Sequence, residues 1–187
     1  MPAMKRILIA DDDRLVLLTL ADSLREAGFD VVEASDGLQA LAICRDKAPA
    51  LALLDIRMPG LDGLELARRL RDETTVPFLF LSAYNDEQFV QRAAEIGALG
   101  YLVKPLTVAA ILPAVRTALA RANEISGLRG ALDSNRTIAT AVGILMRDLG
   151  IDQTRAFEQL RQQARAQRRK LVELAGEMVE ASQLSKS

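Results

Sequence analysis

Five polar residues stand at the ends of short apolar runs: Asp11 and Asp12 after RILIA, Asp55 closing ALALLD, Ser82 near the end of VPFLFLSA, and Lys104 closing GYLVK. Three carboxylates brought together repel one another unless a cation sits among them. Carboxylate oxygens with room left for water suit Mg2+ better than a soft metal. With two carboxylates supporting the ion, the third is free to act as a nucleophile toward phosphorus. A hydroxyl and an ammonium on the far side would hold phosphoryl oxygens. Most of the catalysis in phosphoryl transfer is positioning and charge neutralisation, and this set supplies both.

Such residues need elements to carry them. RILIA (6–10), DVVEA (30–34), ALALLD (50–55), VPFLFLSA (76–83) and GYLVK (100–104) read as buried strands. Between them lie helical patterns. RLVLLTLADSLREAG (14–28) stops at Gly28, DGLQALAICRDKAP (36–49) enters through Asp36, and DGLELARRLRD (62–72) follows Asp62. NDEQFVQRAAEIGA (85–98) opens at Asn85, and TVAAILPAVRTALARA (107–122) holds Pro113 in its interior unless it begins late. Asp13, Asp36 and Asp62 read as helix caps or turn residues rather than ligands. Five β-α units imply an α/β fold with a five-stranded parallel sheet covered on both faces. Right-handed crossovers make it doubly wound, and ligands then bind outside the carboxyl ends of the strands. The five polar residues fall at those ends.

Composition removes other chemistries. There is no histidine and one cysteine, Cys44, which excludes a His-based triad, an intrachain disulfide and a phosphohistidine formed on this chain. No apolar run approaches the roughly 20 residues of a membrane span. MPAMKRILIADDD lacks a secretory pattern, so the cytoplasm is the expected compartment. The net charge of -1 hides an asymmetry, because residues 155–170 hold six basic residues and one acid, Glu158.

LIADDD, LLDIRMPGLDG, LSA and GYLVKP, taken together and in order, resemble the receiver domain of bacterial two-component response regulators, over about residues 4–121. The resemblance implies a flavodoxin-like (βα)5 fold. It implies that Asp55 accepts a phosphoryl group from the phosphohistidine of a sensor histidine kinase, and that the chain promotes its own dephosphorylation rather than turning over a separate substrate. Asp11, Asp12 and Asp55 would bind Mg2+ with the backbone carbonyl of Arg57. Ser82 and Lys104 would bind the phosphoryl oxygens, Ser82 and Tyr101 would switch, and the Lys104–Pro105 bond would be cis. Arg57 and Tyr84, two residues beyond site positions, are bulky enough to shield an acyl phosphate from water.

Residues 114–133 carry Val115, Leu119, Ala122, Ile125, Leu128 and Leu132 on a roughly helical stripe. That predicts either a helical linker (122–134) able to pair with a second subunit, or a broken one, since Gly127 and Gly130 weaken a helix. Three helices fit 135–181, forming a small C-terminal module. The first, from Asn135 as cap to Gly150, places Ile138, Val142, Leu145 and Leu149 inward. The second, from Asp152, places Ala156, Phe157, Leu160 and Ala164 inward. The third, 170–181, places Leu171, Leu174, Ala175 and Met178 inward.

GILM, AF..LR..A and RKL..LA within this module resemble the ANTAR domain of transcription antitermination regulators. The resemblance implies binding to paired hairpins of nascent RNA, so that a terminator does not form. Val142 stands where the family often has lysine. Candidate RNA contacts are Arg161, Arg165 and Arg168, at i, i+4, i+7 on the second helix, with Arg169 and Lys170 at its end and small residues Ala141 and Gly143. Cations at a helix end also complement its dipole without any ligand. No aromatic residue lies in 161–181 to offer a stacking platform. A DNA-binding output, or a protein partner for the basic face, are the competing readings. Homodimerisation on phosphorylation would bring two basic modules to one RNA.

Overall fold

All five apolar runs become parallel strands. The computed structural model describes residues 4–83 and 87–184. The strands are β1 (Arg6–Ala10), β2 (Asp30–Ala34), β3 (Leu51–Asp55), β4 (Phe78–Ser82) and β5 (Tyr101–Val103), in the sheet order β2-β1-β3-β4-β5. Between them run α1 (Arg14–Glu26), α2 (Gly37–Lys47), α3 (Gly63–Glu73) and α4 (Glu87–Ile96). After β5 come α5 (Val108–Leu149), α6 (Gln153–Ala166) and α7 (Leu171–Leu184). Among the described residues no helix is long and apolar enough to cross a membrane.

The period of two along each strand sorts side chains to two faces. Ile7 and Ile9 pack with α1 and the start of α5, through Leu17, Leu20, Leu24, Ile111 and Val115. Leu8 and Ala10 pack with α2 and α3, through Ala40, Leu41, Leu66 and Leu70. β3 and β4 are buried along their whole length, which is why both are nearly unbroken apolar runs. The helix entries are capped as the acids suggest. Asp13 accepts from the Leu15 and Val16 amides, Asp36 from Gln39 and Asp62 from Glu65. The expected cap Asn85 and the expected shield Tyr84 lie outside the described residues.

Cys44 is buried within the α2 face of the core, and burial pushes its thiol up to about 12.

The chain divides into two compact units after Asn123. The helices expected at 107–122 and 135–150 are one element, α5, and the linker between them is helical throughout. Asn135 therefore caps nothing. Pro113 does lie inside the helix, where it removes the hydrogen bond that Ala109 would accept. Ala109 is exposed, so its carbonyl is not shut away from solvent. Ile125, Leu128 and Leu132 are 39, 68 and 68 % exposed.

In the C-terminal unit, Ala141, Val142 and Leu145 of α5 pack with Ala156, Leu160 and Ala164 of α6 and Leu174 and Ala175 of α7. Two expectations fail here. Leu149 is 49 % and Phe157 37 % exposed, and the buried α5 residue beside Val142 is Ala141. Helical spacing names a broad apolar face, but three short helices cover only its centre. Small residues at that centre let the helices approach closely.

An alanine Cβ at Gly127 or Gly130 would meet nothing within 4 Å. Gly127→Ala and Gly130→Ala should therefore each stabilise the helical linker by about 1 kcal/mol, read as a raised thermal midpoint by circular dichroism. A lowered midpoint would mean that the glycines serve a contact outside this chain.

Candidate functional site

The carboxyl ends of β1, β3, β4 and β5 deliver the site. Asp11 follows β1 and is wholly buried, Asp55 ends β3 at 6 % exposure, and Ser82 ends β4 at 0 %. Asp12 stands exposed beside Asp11. Oxygens of Asp11, Asp12 and Asp55 lie within 4.8 Å of one another. A closely spaced set of hard oxygen donors, two buried and one exposed, fits a divalent cation that keeps several waters.

Lys104 reaches this cluster from the end of β5. Its Nζ donates to Asp11 Oδ2 and to Asp55 Oδ1, each at 2.7 Å. Its backbone amide donates to the Ser82 carbonyl at 2.7 Å, and the Lys104–Pro105 bond is cis. The remaining carboxylate oxygens are held by main chain. The Asp13 amide donates to Asp11 Oδ1 at 3.0 Å, and the Arg57 amide to Asp55 Oδ2 at 2.9 Å. Burial pushes the Asp11 carboxyl above its usual range, and the Lys104 hydrogen bond offsets part of that. Burial also works against the Lys104 ammonium, but its hydrogen bonds to Asp11 and Asp55 outweigh it and hold its pKa above the ordinary lysine value. Tyr101, half-buried on β5, packs against the α2–α4 side of the core. The sequence-derived set Asp11, Asp12, Asp55, Ser82 and Lys104 is thus brought to one end of the sheet.

Sequence reasoning recognised Asp36 and Asp62 as caps but missed why glycine follows each. A Cβ on Gly63 would collide with the Asp55 carbonyl group and lie 2.9 Å from the Ile56 α carbon. A Cβ on Gly37 would collide with the Leu61 backbone in the same way. The amide of Gly63 donates to the Ile56 carbonyl at 2.9 Å. The Asp-Gly pairs carried the signal, but close approach of two backbones leaves no mark beyond the glycine itself.

The basic stretch is arranged differently from its helical spacing. α6 ends at Ala166, and Arg168 adopts φ 53°, in the left-handed region. The Arg168 amide donates to the Arg165 carbonyl and the Arg169 amide to the Ala164 carbonyl, a Schellman cap with arginine where glycine is usual. Arg168 therefore leaves the row expected on the helix, and only Arg161 and Arg165 share it. Arg161 pairs with Glu158 at 3.4 Å. Arg169 donates to Glu177 of α7 through both terminal guanidinium nitrogens, Nη1 at 2.7 Å, which holds Glu177 below the usual carboxylate range. Lys170 approaches Glu173 at 4.0 Å. Ala141 is wholly buried and offers RNA no surface, whereas Gly143 is exposed.

Two family models match the chain. One, described as the response regulator receiver domain, covers residues 7–116, and the other, the ANTAR domain, covers 126–179. The chain belongs to the response regulators that join a receiver to an ANTAR domain. It is 33 % identical over 183 residues to the transcriptional regulatory protein PdtaR of Mycobacterium tuberculosis, covering 94 % of this chain and 89 % of that one. To the transcriptional regulatory protein CseB of Streptomyces avermitilis it is 40 % identical over 121 residues, 65 % of this chain and 52 % of that one. Among solved structures, the signal receiver domain of the response regulator NarL of M. tuberculosis matches with a TM-score of 0.61 and 34 % identity, over 64 % of this chain and 98 % of that one. The CheX–CheY–BeF3–Mg2+ complex from Borrelia burgdorferi matches with a TM-score of 0.57 and 28 % identity, over 59 % and 86 %.

Two glycine contrasts test this geometry. Gly63→Ala should destabilise the fold by about 2 kcal/mol or more in urea denaturation, because a methyl is forced onto backbone. Gly60→Ala, at φ 76° with nothing within 4 Å of an added Cβ, should cost only about 1 kcal/mol. Equal effects would refute the steric account. At the other end of the chain, Arg168→Gly should raise the thermal midpoint, with a gain of about 1 kcal/mol from relief of the left-handed conformation.

Proposed function

We propose that this chain is a phosphorylation-controlled transcription antiterminator that binds hairpin RNA. The observation that carries the receiver half is the Lys104 ammonium shared between Asp11 and Asp55 at 2.7 Å each, inside a cluster of three carboxylates. In this reading residues 4–121 form the phosphoacceptor domain, 122–134 the helical linker and 135–181 the RNA-binding module.

An Asp55 oxygen attacks the phosphorus of a phosphohistidine on a sensor histidine kinase. The P–N bond breaks, and the imidazole leaves with the electron pair. Asp11, Asp12, Asp55 and the Arg57 carbonyl would hold Mg2+, which when bound neutralises charge on the transferring group. Lys104 exchanges a carboxylate partner for a phosphoryl oxygen, and the Ser82 hydroxyl takes another. Movement of Ser82 toward the phosphoryl group draws Tyr101 inward. Water later attacks the acyl phosphate, and the same residues promote that loss. The Borrelia receiver crystallised with BeF3 and Mg2+ supports this assignment, since trifluoroberyllate has the shape and charge of a phosphoryl group.

For the output, the ANTAR match supports RNA as the ligand and the basic α6–α7 corner supports where it sits. Arg165 and Arg168 are exposed, and among the described residues they make no ion pair. Arg161 and Lys170 flank them, Arg169 is partly committed to Glu177, and Gly143 exposes backbone. Ile125, Leu128 and Leu132 follow three-then-four spacing, the pattern of a two-helix seam, and support pairing of two copies after phosphorylation. Action on nascent RNA places the protein in the cytoplasm.

Incubation with a small-molecule phosphodonor and Mg2+ should add one phosphoryl group by mass, and Asp55→Asn or a chelator should abolish it. Hairpin RNA should bind more tightly after phosphorylation, with log affinity falling against log salt at about -0.7 per neutralised single-stranded phosphate. Equal binding of a duplex DNA of the same charge would sink the RNA reading, and adduct on Asp55→Asn would sink the acceptor assignment.

A further inference from the structure

The part-exposed Phe157 lines an open site in the C-terminal unit. A pocket of about 390 Å³ lies between α5 and α6, lined by Asn135, Ile138, Val142, Gln153, Thr154 and Phe157. Its chemistry is mixed in a particular way. Ile138 and Val142 make an apolar floor, and Phe157 offers a ring that is 37 % exposed. Asn135 and Gln153 bring side-chain amides, each with donors and an acceptor, and Thr154 adds a hydroxyl. Among the described residues none of these three side chains makes a hydrogen bond within the chain. Asparagine is also a poor choice for a helix interior, and Asn135 lies deep inside α5, where it caps nothing.

Cations stand nearby. Arg136 and Arg155 are the exposed neighbours of Asn135 and Thr154 in the chain, Arg155 paired with Asp152 at 3.5 Å. Arg161 and Arg165 follow Phe157 at successive turns of α6, so one face carries an aromatic ring and then two guanidinium groups, about 6 Å apart at ~1.5 Å per residue. A flat ring, amide edges and a trailing row of cations match a flat, hydrogen-bonding ligand attached to a chain of negative charges. Sequence-specific RNA proteins take unstacked loop bases in this way, with stacking for the face and polar side chains for the edge.

We propose that this pocket seats one unpaired nucleobase of a hairpin loop, stacked on Phe157 and read by Asn135 and Gln153, with the adjoining phosphates on Arg161 and Arg165. The proposal rests on the RNA reading above and adds the base-recognition site. It separates two tasks: the arginines supply affinity that depends on salt, and the pocket supplies discrimination among loop sequences.

The test uses the full chain. The tightest hairpin is selected from a pool with one fixed stem and randomised loops. Each loop position of that hairpin is then replaced in turn by an abasic nucleotide. One position should cost the wild type about 10-fold or more in affinity, the scale of one lost base stack. Phe157→Ala should lose a similar factor on the intact hairpin and nothing further on the abasic one. Phe157→Tyr should keep most of the affinity. Asn135→Ala should keep or gain helix stability by circular dichroism and still lose selectivity between loops. Arg165→Ala should lower the salt slope and leave the abasic penalty in place.

If the wild type selects no hairpin, the RNA reading fails and this proposal falls with it. If it binds a hairpin tightly but Phe157→Ala and Asn135→Ala bind it equally well, the base pocket is overturned and the RNA reading stands. If Phe157→Ala leaves the abasic penalty intact and instead abolishes self-association in sedimentation, the pocket is a seat for a second copy and the proposal is overturned.

Discussion

A single ammonium between two buried carboxylates is the constraint on which the receiver depends. Asp11 is wholly buried and Asp55 nearly so, and a charge taken out of water is costly unless it is paired and hydrogen-bonded. Lys104 pairs both at 2.7 Å, and main-chain amides take an oxygen of each. The arrangement requires the observed strand order, because the lysine comes from β5, the acids from β1 and β3, and β4 lies between. It also explains how β5, with only three residues, can serve as an edge strand. Its last turn is tied to the centre of the sheet through a side chain and through the Lys104 amide on Ser82. With Asp12 at the mouth, three carboxylate groups face one ammonium, an excess of oxygen ligands that a divalent cation would offset.

The receiver was legible because its signals are redundant. A buried parallel strand must be apolar along its length, and a ligand-binding end must then turn polar, so ALALLD reports both the strand and Asp55. The caps Asp13, Asp36 and Asp62 agreed with the boundaries that periodicity placed. The C-terminal unit offers less. Gly127, Gly130 and Asn135 each carry a local preference against helix, yet α5 continues through all of them. The propensities misled because each costs about 1 kcal/mol or less, which helix continuity and packing at both ends outweigh. Phe157 and Leu149 were misplaced because periodicity finds a face and cannot find its width. Arg168 was misplaced because an arginine in the left-handed region ends the helix with no glycine to announce it.

The C-terminal unit also shows how a small core shapes its surface. Its centre is built largely from alanines, Ala141, Ala156, Ala164 and Ala175, which bring helices close but bury little area each. Ends therefore matter. Asp152 caps the entry to α6, Gly150 closes α5 at φ 65°, and the Arg169–Glu177 pair straps the α6–α7 turn to α7. The cations around that turn are thus divided between holding the turn and facing outward, a division that their spacing along the chain does not disclose.

The seam between Gly63 and Asp55 has a mechanical meaning. Most contacts in a protein interior run through side chains, whose rotamers can shift and absorb a small displacement. Here the first residue of α3 rests directly on the carbonyl group of the acid, with no side chain between them. A displacement of α3 would therefore press on the main chain of Asp55 itself, so the start of that helix and the end of β3 must keep their spacing together.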